Sequence, residues 1–248
     1  MRRTKPENNL SITVAGHRVE ETDSEKLLGL LINMTWSNHL HGNKEHTGLI
    51  TKPSQRAGIV NKLSKVMPPD RLRMMTNGIF FSLLSYGIQI YGCVSGLDNY
   101  AGGPGRYQSL TREDSHRIQI IMNKVLRSLT NLDQDTHIWY LLKASGFLSF
   151  HQMCAHSTLK TAHKIMITKE PEYLYNQLMK STSTISRPRR MEAEASVFLK
   201  LSLTRESFLY QASKLLCNIP EVLRNNENVD TFKRESRQWV KANVSIYM

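Results

Sequence analysis

Near residue 50 the apolar residues of this chain change their repeat, and that change limits the folds open to it. Before it, Ser11-Ile12-Thr13-Val14 and His17-Arg18-Val19 flank Ala15-Gly16. The pattern is that of two short strands with glycine supplying the turn, and it predicts a β-hairpin. Lys26 to Ile32, KLLGLLI, is a second short apolar run and is expected as one strand packed on that hairpin. Residues 35–50 are polar and rich in Gly, His and Asn, and read as a loop. From there on the repeat is helical. The expected fold is therefore mainly α, with a small N-terminal β-hairpin and strand element and a C-terminal helical region.

In the helical part, Ile59, Val60, Leu63, Val66 and Met67 share one face, with Lys62 and Lys65 outside it and Arg56 snorkelling from it. Pro68-Pro69 is expected to end that helix. Asp70 is expected to cap the next one, which runs through Met74, Met75, Ile79 and Leu83. Ile79 to Val94 reads as a buried helix, too short and too often interrupted to span a bilayer. Gly102-Gly103-Pro104-Gly105 marks the best internal boundary. Thr111 to Asp114 resembles a capping box with Asp in place of Glu. It opens a helix with Ile118, Ile121, Met122, Val125, Leu126 and Leu129 on one face and Arg117, Lys124 and Arg127 on the other. Gly146 breaks the following short helix. From Phe150, a face of Ala155, Leu159, Ala162, Ile165 and Met166 opposes Lys160 and Lys164. Glu170-Pro171-Glu172 starts another helix, and Ser181 to Arg190 reads as an exposed linker. In the tail, Val229, Phe232, Trp239 and Val240 form a face expected to dock on the rest of the chain. Lys233, Arg237 and Lys241 should stay in water.

The 248 residues carry 33 Lys and Arg against 21 Asp and Glu, a net charge of +12. The excess is spread: 12 basic against 7 acidic in residues 1–91, 10 against 7 in 92–180, and 11 against 7 in 181–248. Basic ridges on folded helices fit this better than a basic arm, and they favour a polyanionic partner, nucleic acid before membrane. The basic Met1 to Lys5 is followed by Pro6-Glu7-Asn8-Asn9 instead of an apolar stretch, so no signal peptide is expected. The expectation is an intracellular chain, cytoplasmic or nuclear, without a transmembrane helix. Cys93, Cys154 and Cys217 are far apart and read as core thiols in a reducing compartment.

Patterns that would carry catalysis are weak. His39, His41 and His46 lack a completing Cys or acidic ligand, so no metal site is expected. His151, His156 and His163 read as helix-surface histidines. The 102–105 loop lacks the Lys-Ser/Thr of a phosphate cradle, and no G-x-S-x-G occurs. The acidic run Glu20 to Glu25 reads as a solvated loop, and Arg187 to Arg190 as a solvated linker. No Asp-Asp dipeptide occurs anywhere.

The order of several motifs resembles a known family. Ile12-Thr13-Val14, Gly16, Val19, KLLGLLIN and Trp36-Ser37-Asn38-His39-Leu40 resemble the stretch after the catalytic motif of non-LTR (LINE-type, jockey-like) retrotransposon reverse transcriptases. NGIFFSLLSYGIQIYGCV is similar to a helix of that family's thumb. EDSHRIQIIMNKVLRSLT, the span His156 to Leu178, and RESFLYQASKLLCNIPEVLR through Trp239 follow in the family's order. Cys217 stands where the family has Trp, and Asp114-Ser115 departs from its Gln-Asn pair.

The resemblance implies a palm-remnant β element (1–34), a thumb-like helical domain (35–180) and a linker with a C-terminal helical segment (181–248). It implies a truncated piece of an RNA-directed DNA polymerase, not an enzyme on its own because the paired aspartates have no match, and needing no cofactor. Its expected partner is RNA or RNA–DNA duplex, bound without sequence preference through Lys62, Lys65, Arg117, Lys124, Arg127, Lys160 and Lys164. The alternatives are a helical protein-interaction module or a decayed transposon product without a selected role.

Overall fold

Two short hairpins build the N-terminal element of the computed structural model, which describes residues 11–14, 16–20, 22, 25–32, 37–42, 47–92, 112–185 and 208–244. Strand β1 (Ser11–Val14) pairs antiparallel with β2 (His17–Glu20), with Val14 opposite His17 and Gly16 at φ 81° in the turn. The second apolar run is not one strand. It folds into β3 (Glu25–Leu27) and β4 (Leu30–Ile32), closed by Leu28 at φ 50° and Gly29 at φ 84°. Two consecutive left-handed residues make the tight turn whose twist suits a hairpin, and Gly29 takes that conformation at little cost. This hairpin is a sheet of its own, separate from the first. Instead, β4 packs on α1 (Ser37–His41), which forms inside the segment expected to be a loop. Leu40 and Leu49 anchor that segment in the core, and burying them outweighs its polar composition.

Helix α2 (Thr51–Leu63) buries Pro53, Ala57 and Val60 against α6 (Arg112–Thr130). The expected face is thus rotated: Ile59 and Val66 are exposed, and the helix ends at Leu63, before the two prolines. Arg56 donates to the Ile79 carbonyl. In α3 (Pro69–Thr76), Pro68 occupies the cap position and Asp70 lies in the first turn, where its charge still suits the helix dipole. Leu72 and Thr76 are the buried residues there, while Met74 and Met75 face outward.

The expected long helix from Ile79 is broken. A π-helical turn (Asn77–Phe81) leads into α4 (Ser82–Ser85), and Gly87, at φ 66°, separates it from α5 (Ile88–Tyr91). A Cβ on Gly87 would lie 2.8 Å from a Leu30 methyl. The break is therefore also the seat of the second hairpin.

The face of α6 matches its pattern, with Ile118, Met122, Val125 and Leu126 fully buried. Asp114 does not face water at the helix start; it is buried, with an oxygen 3.4 Å from His41 Nε2. Helix α7 (Ile138–Ser145) ends at Gly146, φ 70°, as its sequence requires.

Helix α8 (Phe150–Thr168) is the centre of the molecule. Its start is held three ways. Ser149 and Gln152 form a reciprocal capping box, Gln119 of α6 accepts from the Phe150 N–H at 2.7 Å, and Gln152 Nε2 donates to the Val244 carbonyl at 3.0 Å. The first half of α8 joins a core shared with α2 to α7. The second half joins another core with α9 (Glu172–Ile185), α10 (Phe208–Asn218), α11 (Glu221–Arg224) and α12 (Val229–Asn243).

That second core corrects several expectations. Residues 181–185 are helical, so α9 crosses the expected start of the linker. The histidines of α8 are packed between helices: His151 and His163 are buried, and His156 Nε2 lies 3.2 Å from the Lys233 carbonyl. Helix α12 is capped by Asn228, whose side chain accepts from the Asp230 and Thr231 amides. It docks through Phe232, Ser236 and Val240, with Trp239 half-buried and Val229 exposed. Lys233 faces water, but Arg237 Nη2 and Lys241 Nζ both donate to the Gly146 carbonyl, at 3.0 and 2.9 Å. Cys154 is buried and Cys217 half-buried. Cys93, His46, Thr111, the 102–105 loop and Arg187 to Arg190 lie outside the described residues. No helix among the described residues is long and apolar enough to cross a membrane.

Candidate nucleic-acid interface

Packing α2 and α3 across the middle of α6 leaves a cleft of about 1020 Å³. Its floor is apolar, from Ala57, Leu72 and Ile121, which belong to the faces that hold these helices together. Its cations come from two places. Lys65 stands in the turn after α2, where its amide donates to the Lys62 carbonyl at 3.3 Å. Lys124 stands exposed on the outward side of α6, and Arg127 follows one turn later. Neutral donors and acceptors lie between them: Asn61, Ser64, Ser128, Asn131 and Gln134. Ser128 Oγ donates to Lys124 O at 3.1 Å and lies 3.2 Å from Asn61 Oδ1, linking the two walls. No carboxylate is among the described residues that line the cleft. Lys, Ser, Asn and Gln side chains over an apolar floor are the groups that contact sugar–phosphate backbones without reading sequence.

The seven predicted cations are therefore not one surface. Lys65, Lys124 and Arg127 come together in the cleft. Arg127 is half-buried, and its Nη2 donates to the Thr136 carbonyl at 3.3 Å, so it also holds the loop after α6. Lys62 is exposed on α2 and outside the cleft. Arg117 lies two turns before Lys124 on the same stripe of α6, with its charge offset by an i,i+4 ion pair to Glu113. Lys160 and Lys164 are on the half of α8 that packs in the other core. Lys164 is exposed, whereas burial, with Lys233 and Arg237 beside it, pushes the Lys160 ammonium below the usual lysine range. The neutral polar lining escaped sequence reading. Its one sequence signal is the i,i+4 spacing of Lys124 and Ser128 on the outward face of α6.

His39 of the N-terminal segment is structural. His39 Nδ1 accepts from the Leu31 amide at 3.4 Å, and its ring rests against Tyr91, centroids 5.1 Å apart. Burial lowers the pKa of His39, and Lys52 acts in the same direction. Among the described residues no group of three His, Cys, Asp or Glu side chains could hold a metal ion. No protein-family model, curated protein or solved structure matches the chain.

Proposed function

We propose that this chain binds RNA or RNA–DNA duplex through its basic helix faces, with little sequence preference, and that it is a C-terminal, thumb-containing piece of a non-LTR retrotransposon reverse transcriptase without polymerase activity of its own. The observation that carries the binding reading is the cleft between α2, α3 and α6, with Lys65 and Lys124 on its two walls and no carboxylate among the described residues that line it. The ancestry rests on the order of the family-like motifs along the sequence.

In this reading, Lys65 and Lys124 take phosphates on either side of the cleft, and Asn61, Ser64 and Ser128 hydrogen-bond to sugar and phosphate oxygens. Arg127 keeps the rim in place. Two or three neutralised phosphates release as many condensed counterions, which makes the binding weak and strongly salt-dependent.

Fluorescence anisotropy of the purified chain with labelled RNA–DNA duplex, duplex RNA and single-stranded RNA of mixed sequence tests the reading. Binding that is insensitive to sequence and weakens steeply with salt upholds it. No binding at low salt to any of the three would reject it in favour of the interaction-module alternative.

A further inference from the structure

Two cations share one backbone carbonyl, and a third, from a distant part of the chain, stands beside it. Arg237 Nη2 and Lys241 Nζ, one turn apart on α12, donate to Gly146 O at 3.0 and 2.9 Å. Arg73 of α3 lies over the Phe147 ring, 5.0 Å from its centroid, and its Nη2 is 3.4 Å from the position a Gly146 Cβ would take. Lys160 and His156 are also within electrostatic reach of Arg237, and Lys233 of Lys160. None of Arg73, Arg237 and Lys241 has an ion pair with a carboxylate among the described residues; Lys233 alone of the wider group has one, with Asp230 at 3.0 Å. Arg73 lines a hollow of about 240 Å³ between α3 and the ends of α6 and α7, so space is open beside it. Asp70 lines the same hollow without pairing with it.

A helix C-terminus explains one cation here, since its dipole amounts to roughly half a negative charge. It does not explain three. Burial lowers the pKa of both Arg237 and Lys241, and their neighbours' charges lower them further, Arg73 acting on both and Arg237 on Lys241. The like charges are thus held together against their repulsion, with an acceptor among the described residues for only part of their hydrogen-bonding capacity.

We propose that Arg73, Arg237 and Lys241 form a binding site for a phosphate group at the end of α7. Two planar guanidinium groups and an ammonium around one point suit a tetrahedral oxyanion with several acceptor oxygens. The group is either a backbone phosphate of a nucleic acid or a free phosphate. The site lies outside the cleft residues Lys65, Lys124 and Arg127, so it stands or falls apart from the binding reading above.

Thermal unfolding of the full chain in about 10 mM inorganic phosphate, against chloride at equal ionic strength, reads the site. Lys241→Gln, Arg237→Gln and the exposed control Lys164→Gln are compared with the unaltered chain. Phosphate should raise the midpoint of the unaltered chain and of Lys164→Gln by roughly 3 °C or more. Lys241→Gln and Arg237→Gln should lose most of that increment. Should Arg237→Gln fail to fold, Lys241→Gln, at an exposed position, gives the answer alone. An oligonucleotide without terminal phosphates that abolishes the increment assigns the site to backbone phosphate; no competition assigns it to free phosphate. Phosphate also stabilises proteins generally by exclusion from their surface. Equal increments in the unaltered chain and in Lys241→Gln would therefore overturn the proposal.

Discussion

The His163 imidazole lies flat on the Phe232 ring, with centroids 3.5 Å apart and 3° between the planes, while its Nε2 is 2.8 Å from the Asn226 carbonyl. One side chain of α8 thus fixes both the start of α12 and the loop before it. Phe232 is almost wholly buried, whereas Trp239 is only half so. Phe232→Ala should therefore cost about 3–5 kcal/mol, and Trp239→Ala clearly less. Urea unfolding followed by circular dichroism measures both. Equal midpoints for the unaltered chain and Phe232→Ala would mean that α12 is not docked.

The histidines between α8 and α12 make stability fall in acid. Burial pushes the His156 imidazole down to about 4 from 6.5, helped by Lys160 and Arg237 and opposed by its hydrogen bond to Lys233 O. Burial also lowers His163. As pH falls below about 6.5, the unfolded chain takes up protons that the folded chain refuses until about 4, so stability declines across that window. After allowance for solvent screening, His156 should contribute roughly 1–2 kcal/mol of this decline. Urea midpoints from pH 7 to pH 4 should fall less in His156→Gln, whose amide can still donate to Lys233 O. Parallel curves would contradict the assignment.

Gly87 is needed twice, for its left-handed φ of 66° and for the approach of Leu30, which would meet an added Cβ at 2.8 Å. Gly87→Ala should destabilise by more than about 1 kcal/mol, through strain and displacement of Leu30. Hydrogen exchange should show faster amides at Leu30 and Leu31 than in the unaltered chain. Unchanged protection there would show that the hairpin is not seated on Gly87.

The legible parts of this fold are those where only one face of an element is covered. Ile118 to Leu129 kept a helical repeat because only one side of α6 is covered there, and Gly146 was readable because a left-handed helix end asks for glycine. Helix α8 was harder. It is covered on several sides, so His151, Thr158 and His163 are buried among apolar neighbours and its repeat does not separate inside from outside. The second hairpin was hidden because its turn, Leu28-Gly29, sits inside an unbroken apolar run. The cleft was legible only in pieces. Lys65 and Lys124 could be named as outward cations, but their meeting depends on α2 crossing α6, and the convergence of Arg73 with Arg237 and Lys241 depends on α12 docking by the end of α7. Neither follows from local periodicity.

Two-metal phosphoryl transfer needs clustered carboxylates, and the sequence contains no Asp-Asp pair. The chain alone should give no magnesium-dependent extension of a DNA primer on an RNA template. Extension that persists after repurification, and that is absent from a mock preparation, would contradict this.

The salt dependence of nucleic-acid binding, compared between the unaltered chain and the double variant Lys65→Ala plus Lys124→Ala, tests the central claim most directly. Arg127 is left in place because it also holds the loop after α6. With two or three phosphates neutralised, log K should fall against log salt with a slope of roughly −2 to −3 for RNA–DNA duplex. The double variant should bind about tenfold or more weakly at low salt, with its slope reduced by about 2. A double variant with the affinity and slope of the unaltered chain would show that the cleft between α2, α3 and α6 does not hold the phosphate backbone.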